Sequence, residues 1–319
     1  MIGNSQKAKI GVLICTLNRP IMLRNCVTSL LSQKVPDDYV LEICIIENDS
    51  ESNSLPIVEE LRSISKVEII YENEPTRGIP FARNKSLDIA LERNHCLSIM
   101  VDDDEVVLED FISYHIKTLE TFNADISYGR IEQEYESPLP EWFPNGPATS
   151  PPAGTRLERA STGNVCFKRR VISPDKGNLR FNTVFCYGYE DLDFFTRAVQ
   201  QGFSIVSAPD AVIVEKIPSS RTHPSRLLSV VQASATAHVQ AGILNNGYLY
   251  AATKFLTKGL RRVITGATIA VALHPWRESQ NSKMVNRYYK SRLRLSRGIG
   301  NIRGVFSLAH GYYNTIDGH

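Results

Sequence analysis

The sequence predicts an α/β fold: a mostly parallel central sheet flanked by helices, with a helical, basic C-terminal extension. Three observations carry this. Apolar runs of strand length alternate with amphipathic stretches from Lys9 to about Glu132, the pattern of strands joined by helical crossovers. The first run, IGVLIC at 10–15, is continuously apolar, as for a strand covered on both faces. After Ser219 the alternation stops, and the chain turns helical and increasingly basic.

Each element follows in order. Pro20 closes the first loop and suits a helix start. Met22, Leu23, Cys26, Val27, Leu30 and Leu31 recur at helical spacing over 21–31. Residues 41–46 form a second strand, and 54–64 a helix with Leu61 and Ile64 on one face. Residues 67–71, 81–93 and 97–101 form a strand, a helix and a strand. Six prolines and two glycines fall between Tyr135 and Arg159, together with Trp142 and Phe143; this is expected to be a long loop over a site. Regular structure resumes at 160–167. A helix over 190–201 and strands at 205–207 and 212–215 follow.

The chain has 319 residues, 42% of them hydrophobic. That suffices for one large domain, or one domain with an appendage, and excludes disordered, collagenous and disulfide-scaffold classes. Six cysteines lack zinc-site spacing and mostly sit in apolar runs. They are expected to be buried free thiols in a reducing compartment. The opening MIGNSQKAK is not a signal peptide, and no run of about twenty apolar residues marks a membrane span. The net charge of +2 hides an asymmetry: from Lys254 to Arg303 there are twelve Lys and Arg against one acid, Glu278.

The strongest chemical signal is Asp102-Asp103-Asp104-Glu105, directly after an apolar strand. Ligands bind beyond the carboxyl ends of strands in open parallel sheets. Crowded carboxylates raise one another's pKa, and a divalent cation relieves the repulsion. Asp102 and Asp104, two apart in an extended chain, face the same side. A second signal is Gly188-Tyr189-Glu190-Asp191 at the head of an amphipathic helix, where the helix dipole favours carboxylates. A third is spread over strand ends: Thr16, Asn18 and Arg19 after the first, Glu47 and Asn48 after the second. Polar groups there can meet a nucleobase and ribose. Arg77 and Arg83 flank the start of the third helix, where an arginine can meet phosphate.

CTLNR at 15–19, IIENDS at 45–50, RGIPFARN at 77–84, VDDDE at 101–105, TGNVCFKR at 162–169 and GYEDLDFFTRAVQQG at 188–202 occur in this order. Together they resemble family 2 glycosyltransferases, the inverting group with the GT-A fold. The likeness covers roughly Lys9 to Ser219. It implies a GT-A catalytic domain over 1–218, with a Rossmann-like nucleotide-sugar half to about 132 and an acceptor half over 133–218. A helical basic region, 219–319, follows. The resemblance gives Thr16, Asn18, Arg19, Glu47 and Asn48 to the nucleoside pocket, although many relatives have aspartate where Glu47 stands. It brings Arg83 to the diphosphate or donor. Asp102 and Asp104 match a DxD motif, with Asp103 between them: Asp102 would touch ribose or donor sugar, and Asp104 would hold Mn²⁺ or Mg²⁺. Asp191 would be the catalytic base, and Glu190 would orient acceptor or donor. Gly163 and Asn164 would wall the sugar site. Some relatives add a histidine to the metal, and His223 is the nearest candidate.

The implied function is transfer of a hexosyl or N-acetylhexosaminyl group from a nucleotide sugar, UDP-linked by resemblance, to a glycan or lipid-linked acceptor. Bacterial cell-surface polysaccharide or glycolipid synthesis is the expected setting. The rival is a sugar-phosphate nucleotidyltransferase, but CTLNR lacks that class's Gly-rich phosphate loop. The stretch VITGATIAVAL at 263–273 is too short to span a bilayer and is flanked by Arg261, Arg262 and Arg277. That suits an interfacial helix on an anionic membrane surface, so the chain is expected in the cytoplasm, peripheral on the inner face of the plasma membrane. No nucleic-acid motif accompanies the charge, and no nucleic-acid partner is expected.

Overall fold

The computed structural model describes residues 7–144, 150–186 and 188–306. The first six residues, 145–149 of the proline-rich segment and the tail from 307 lie outside the described residues. The order is β1 (Ala8–Thr16), α1 (Pro20–Leu31), β2 (Tyr39–Glu47), α2 (Leu55–Ile64), β3 (Glu68–Asn73), α3 (Ile79–Glu92), β4 (His95–Asp102), β5 (Glu105–Val107), α4 (Phe111–Thr121), β6 (Ile126–Tyr135), β7 (Arg156–Leu157), β8 (Val165–Lys168), α5 (Glu190–Gln200), β9 (Ile205–Ile217), α6 (Ser219–Thr222), α7 (Pro224–Asn246), α8 (Tyr248–Leu273) and α9 (Ser282–Val305).

The sheet runs β3-β2-β1-β4-β8-β6-β9-β5, with β7 on β9. Strands β1 to β4 are mutually parallel where they pair, as are β6 and β9. β8 enters antiparallel between β4 and β6, so the sheet is mixed past β4. One apolar layer packs α1, α2 and α4 on one face, around Leu23, Val58 and Ile116. The other packs α3 and α5 on the opposite face, around Leu87, Phe194 and Phe195. Strands in the middle are therefore apolar on both sides, which is why IGVLIC has no polar alternation.

Several sequence expectations shift. On α2, Val58 and Leu61 are buried, but Ile64 is 74% exposed: it lies at the last turn, past the edge of the sheet. The two short strands at 205–207 and 212–215 are one strand, β9, whose pairing to β6 slips at Gly129/Arg130. That irregularity accommodates Pro209, which has no N–H to give a ladder. The loop expected over 135–159 begins with the end of β6 and contains β7.

Beyond β9, α9 packs on both α7 and α8. A methyl group added at Gly298 would meet the backbone N of Val263 at 2.8 Å and the backbone O of Gly259 at 2.9 Å. At Gly300 it would meet the backbone O of Gln232 at 2.3 Å. The glycines let three helices approach backbone to backbone. By length and composition α7 could cross a bilayer, although no unbroken apolar run marks it. Here it lies in this bundle, with Val239 fully buried beside Phe255 and Val305.

Candidate active site

Parallel pairing brings the carboxyl ends of β1, β2 and β4 to one edge. Thr16 lies level with Glu47, and Cys15 with Asp102. The chain then turns sharply from β4 into β5, and the Asp102 N–H donates to Glu105 Oε2 at 2.8 Å. The turn sorts the acids by side. Asp103 points inward, 3% exposed, where Thr16 Oγ1 donates to it at 2.7 Å and Arg19 Nη1 at 3.1 Å. The Asp102 side chain is half open. Asp104 pairs with Arg221 at 2.7 Å and with Arg19 at 3.7 Å.

Arg83 joins this edge to the other half of the molecule. It sits in the second turn of α3 with its guanidinium buried, 5.7 Å from the Phe181 ring. One arm binds the Glu190 carboxylate, and the other reaches Asp102 Oδ1 at 3.5 Å. Glu190 opens α5, so Asp191 beside it stands in the first turn, where its Oδ1 accepts the Leu192 N–H at 2.6 Å. Glu190 Oε2 is buried with no hydrogen-bond partner among the described residues.

Electrostatics follow from this crowding. Desolvation raises the Asp102 carboxyl against the pull of Arg83, and Asp104 and Asp191 push it further up. Burial pushes Asp103 up to about 6, with Arg19 opposing. Burial and the Asp102 charge raise Glu105, and burial raises Glu190. Burial works against the charge on Arg83, but Glu190, Asp102 and Asp191 outweigh it and raise its pKa. The cleft gathers more acidic groups than arginines, a crowding that a bound cation would relieve.

A scan against family models matches the chain to "Glycosyl transferase family 2" over residues 11–194, more than half its length. The chain belongs to glycosyl transferase family 2. The chain is similar to the succinoglycan biosynthesis protein ExoM of Rhizobium meliloti, 29% identical over 216 residues, 66% of this chain and 68% of ExoM. An uncharacterized glycosyltransferase of Methanocaldococcus jannaschii is 28% identical over 40% of this chain and 42% of its own. The fold is also that of S. aureus TarS solved with UDP: TM-score 0.53 at 16% identity, covering 97% of this chain and 95% of that one. TarS solved with UDP-GlcNAc gives a TM-score of 0.53 at 15% identity, with 95% and 93% covered. The GT-A architecture and the helical extension match the expectation.

Within this family 2 glycosyltransferase, several side chains lie elsewhere than expected. Glu47 is fully buried: its carboxylate accepts the N–H groups of Asn18 at 2.8 Å and Ser54 at 3.0 Å. Asn48 donates to the carbonyls of Glu74 and Thr76 and accepts from the Gly78 N–H. Both brace loops under the carboxyl edge of the sheet, and neither side chain faces open space. Asn18, at φ +52°, stays partly exposed at that edge. Asn164 is fully buried. It donates to the carbonyls of Arg130 and Ala211 and contacts His115 Nε2 at 2.8 Å, so its side chain walls no sugar site. Gly163 does border the acids: a methyl group there would stand 2.5 Å from Glu105 Oε1.

His223 does not join Asp102 and Asp104. It caps α7, with its Nδ1 accepting from Ser225 N at 3.4 Å. The segment does reach the acids, but through Arg221, which also pairs with Glu215 at 3.3 Å. Sequence spacing gave no sign of either residue, because Arg221 and Asp104 are 117 positions apart.

Among the described residues no three His, Cys, Asp or Glu side chains converge as a metal cage. Mg²⁺ and Mn²⁺ do not require one, since one or two carboxylates plus substrate phosphates suffice. Asp102 and Asp104 fit that donor set, on condition that Arg221 leaves Asp104.

Proposed function

We propose that this enzyme inverts configuration as it moves a sugar from a UDP-linked donor to a hydroxyl of a glycan or lipid-linked acceptor, with Mn²⁺ or Mg²⁺, in cell-surface polysaccharide or glycolipid synthesis. The observation that carries the proposal is Arg83, which bridges Asp102 and Glu190 and so sets the β4 acids beside Asp191. The name of ExoM supports the polysaccharide setting. The TarS complexes with UDP and UDP-GlcNAc support the choice of nucleotide. A hexosyl or N-acetylhexosaminyl group, and a peripheral location on the inner face of the plasma membrane, complete the proposal.

In this account the donor's nucleoside lies at the Thr16–Asn18 edge and its diphosphate near Arg83. Asp102 and Asp104 would hold the divalent ion, which would supply charge neutralisation for the diphosphate leaving group. Asp191, solvent-accessible at the head of α5, takes the proton of the acceptor hydroxyl as its oxygen attacks the anomeric carbon. Glu190 holds Arg83 in place from below. Arg19 and Thr16 fix Asp103, and with it the turn that aims Asp102 and Asp104.

The test is a screen of UDP-, GDP- and TDP-sugars for nucleoside diphosphate release, with Mn²⁺, Mg²⁺ or chelator. UDP release that requires metal and is lost in Asp104→Ala is expected. A metal titration identical in Asp104→Ala and wild type would remove the metal assignment, and pyrophosphate as the product would remove glycosyl transfer.

A further inference from the structure

The three long C-terminal helices contain no Asp or Glu at all. On α8, Leu249, Leu260, Ile264 and Val271 are spaced eleven, four and seven residues apart, which puts them on one side of a helix. All four are exposed, Leu249 by 80%, Ile264 by 62% and Val271 by 75%. Lys254, Lys258 and Arg261, four and three apart and also exposed, form the adjoining stripe. Trp276 lies just past the helix end, 45% exposed. Behind this face, Arg262 feels the charges of Arg297, Arg261 and Arg294, so the cations are concentrated rather than scattered.

We propose that this face of α8 docks the enzyme on an anionic phospholipid surface. Apolar side chains beside a cationic stripe match the acyl boundary and the headgroups of such a surface. A second copy of the chain is a poor occupant, because it would bring cations against cations. Nucleic acid would leave the apolar stripe without a partner. The opposite, buried side of α8 packs towards the cleft. Tyr189, next to Glu190, touches His238 of α7 with ring centroids 6.0 Å apart, and His238 touches Phe255 of α8 at 5.4 Å. The inference gives the peripheral location proposed above a surface. It rests on no catalytic assignment, so vesicle binding and UDP release can fail separately.

The experiment is vesicle flotation of the full chain with phosphatidylcholine alone and with added phosphatidylglycerol, at low and high salt. Binding only to the anionic vesicles, weakened by salt, is expected. Lys254→Glu with Lys258→Glu and Arg261→Glu should lower it about tenfold or more. Ile264→Asp with Val271→Asp should lower it similarly, with unchanged circular dichroism. The wild-type lipid and salt series decides the matter even if a variant misfolds. Equal binding to neutral vesicles, or none to anionic ones, overturns the proposal. So does a face covered instead by a dimer or by nucleic acid, seen as α8-dependent self-association or oligonucleotide binding without vesicle binding.

Discussion

Asn164 illustrates how a side chain in a functional motif can serve the fold instead. It sits at φ +62°, a left-handed conformation that asparagine tolerates better than most residues. Its amide, just before β8, reaches β6 at Arg130, β9 at Ala211 and α4 at His115. Burial holds His115 down to about 4, so the ring stays neutral at physiological pH, and its second nitrogen contacts Ser127 Oγ at 2.8 Å. Asn164→Ala would leave two carbonyls and a ring nitrogen without their partners. We expect a loss of about 2–4 kcal/mol, seen in chemical denaturation, with donor KM unchanged in the protein that remains folded. The motif TGNVCFKR was legible, but which way the Asn164 amide turns was not. A family pattern locates a residue along the chain, and the direction of its side chain depends on the backbone angles. The inward turn of the Glu47 and Asn48 side chains was illegible for the same reason. Arg83 was placed near the donor, but its role as the link between Asp102 and Glu190 spans 107 positions and no local pattern encodes it.

The sheet elements show what periodicity can and cannot tell. β1, β2, α1, α5 and β4 appear within a few residues of where apolar spacing put them, because each buries a continuous or one-sided apolar face. β5 and β7 are too short for any period to register. At the end of the sheet away from the cleft, Glu42 on β2 is a buried hub. It accepts from Arg93 at 2.9 and 3.0 Å, pairs with Lys9 at 2.7 Å and meets His95 at 3.0 Å. Burial alone would raise its carboxyl, but the hydrogen bonds from Arg93, Lys9 and His95 prevail and hold it at about 2, below its ordinary 4.5. A depressed carboxylate stabilises the fold above pH 4.5, and the gain is lost as pH falls from 4.5 towards 2. Glu42→Gln is therefore expected to cost about 2–4 kcal/mol at neutral pH. Urea melts should show the gap from wild type closing across that acid window. A gap constant with pH would contradict the ionic role.

At the scale of the whole molecule, the C-terminal bundle was foreseen as helical and basic, but its helix count and packing were not. Long helices held by glycine contacts carry only a weak amphipathic signal, since backbone rather than large side chains fills the interface. Gly298→Ala would force α8 from α9 against backbone atoms of Val263 and Gly259. A loss of about 1–3 kcal/mol is expected, read as earlier hydrogen exchange in α8 and α9 than in β1 and β4. The candidate cleft is itself a whole-molecule feature: Asp102 and Asp104 come from the end of β4 and the turn after it, and Glu190 and Asp191 from the helix that follows β8. The most direct test of that union is a paired measurement on Asp191→Asn, donor binding by calorimetry and transfer by UDP release. The account predicts donor affinity within a few-fold of wild type and transfer lower by about 10²–10⁴. Transfer near the wild-type rate would contradict it.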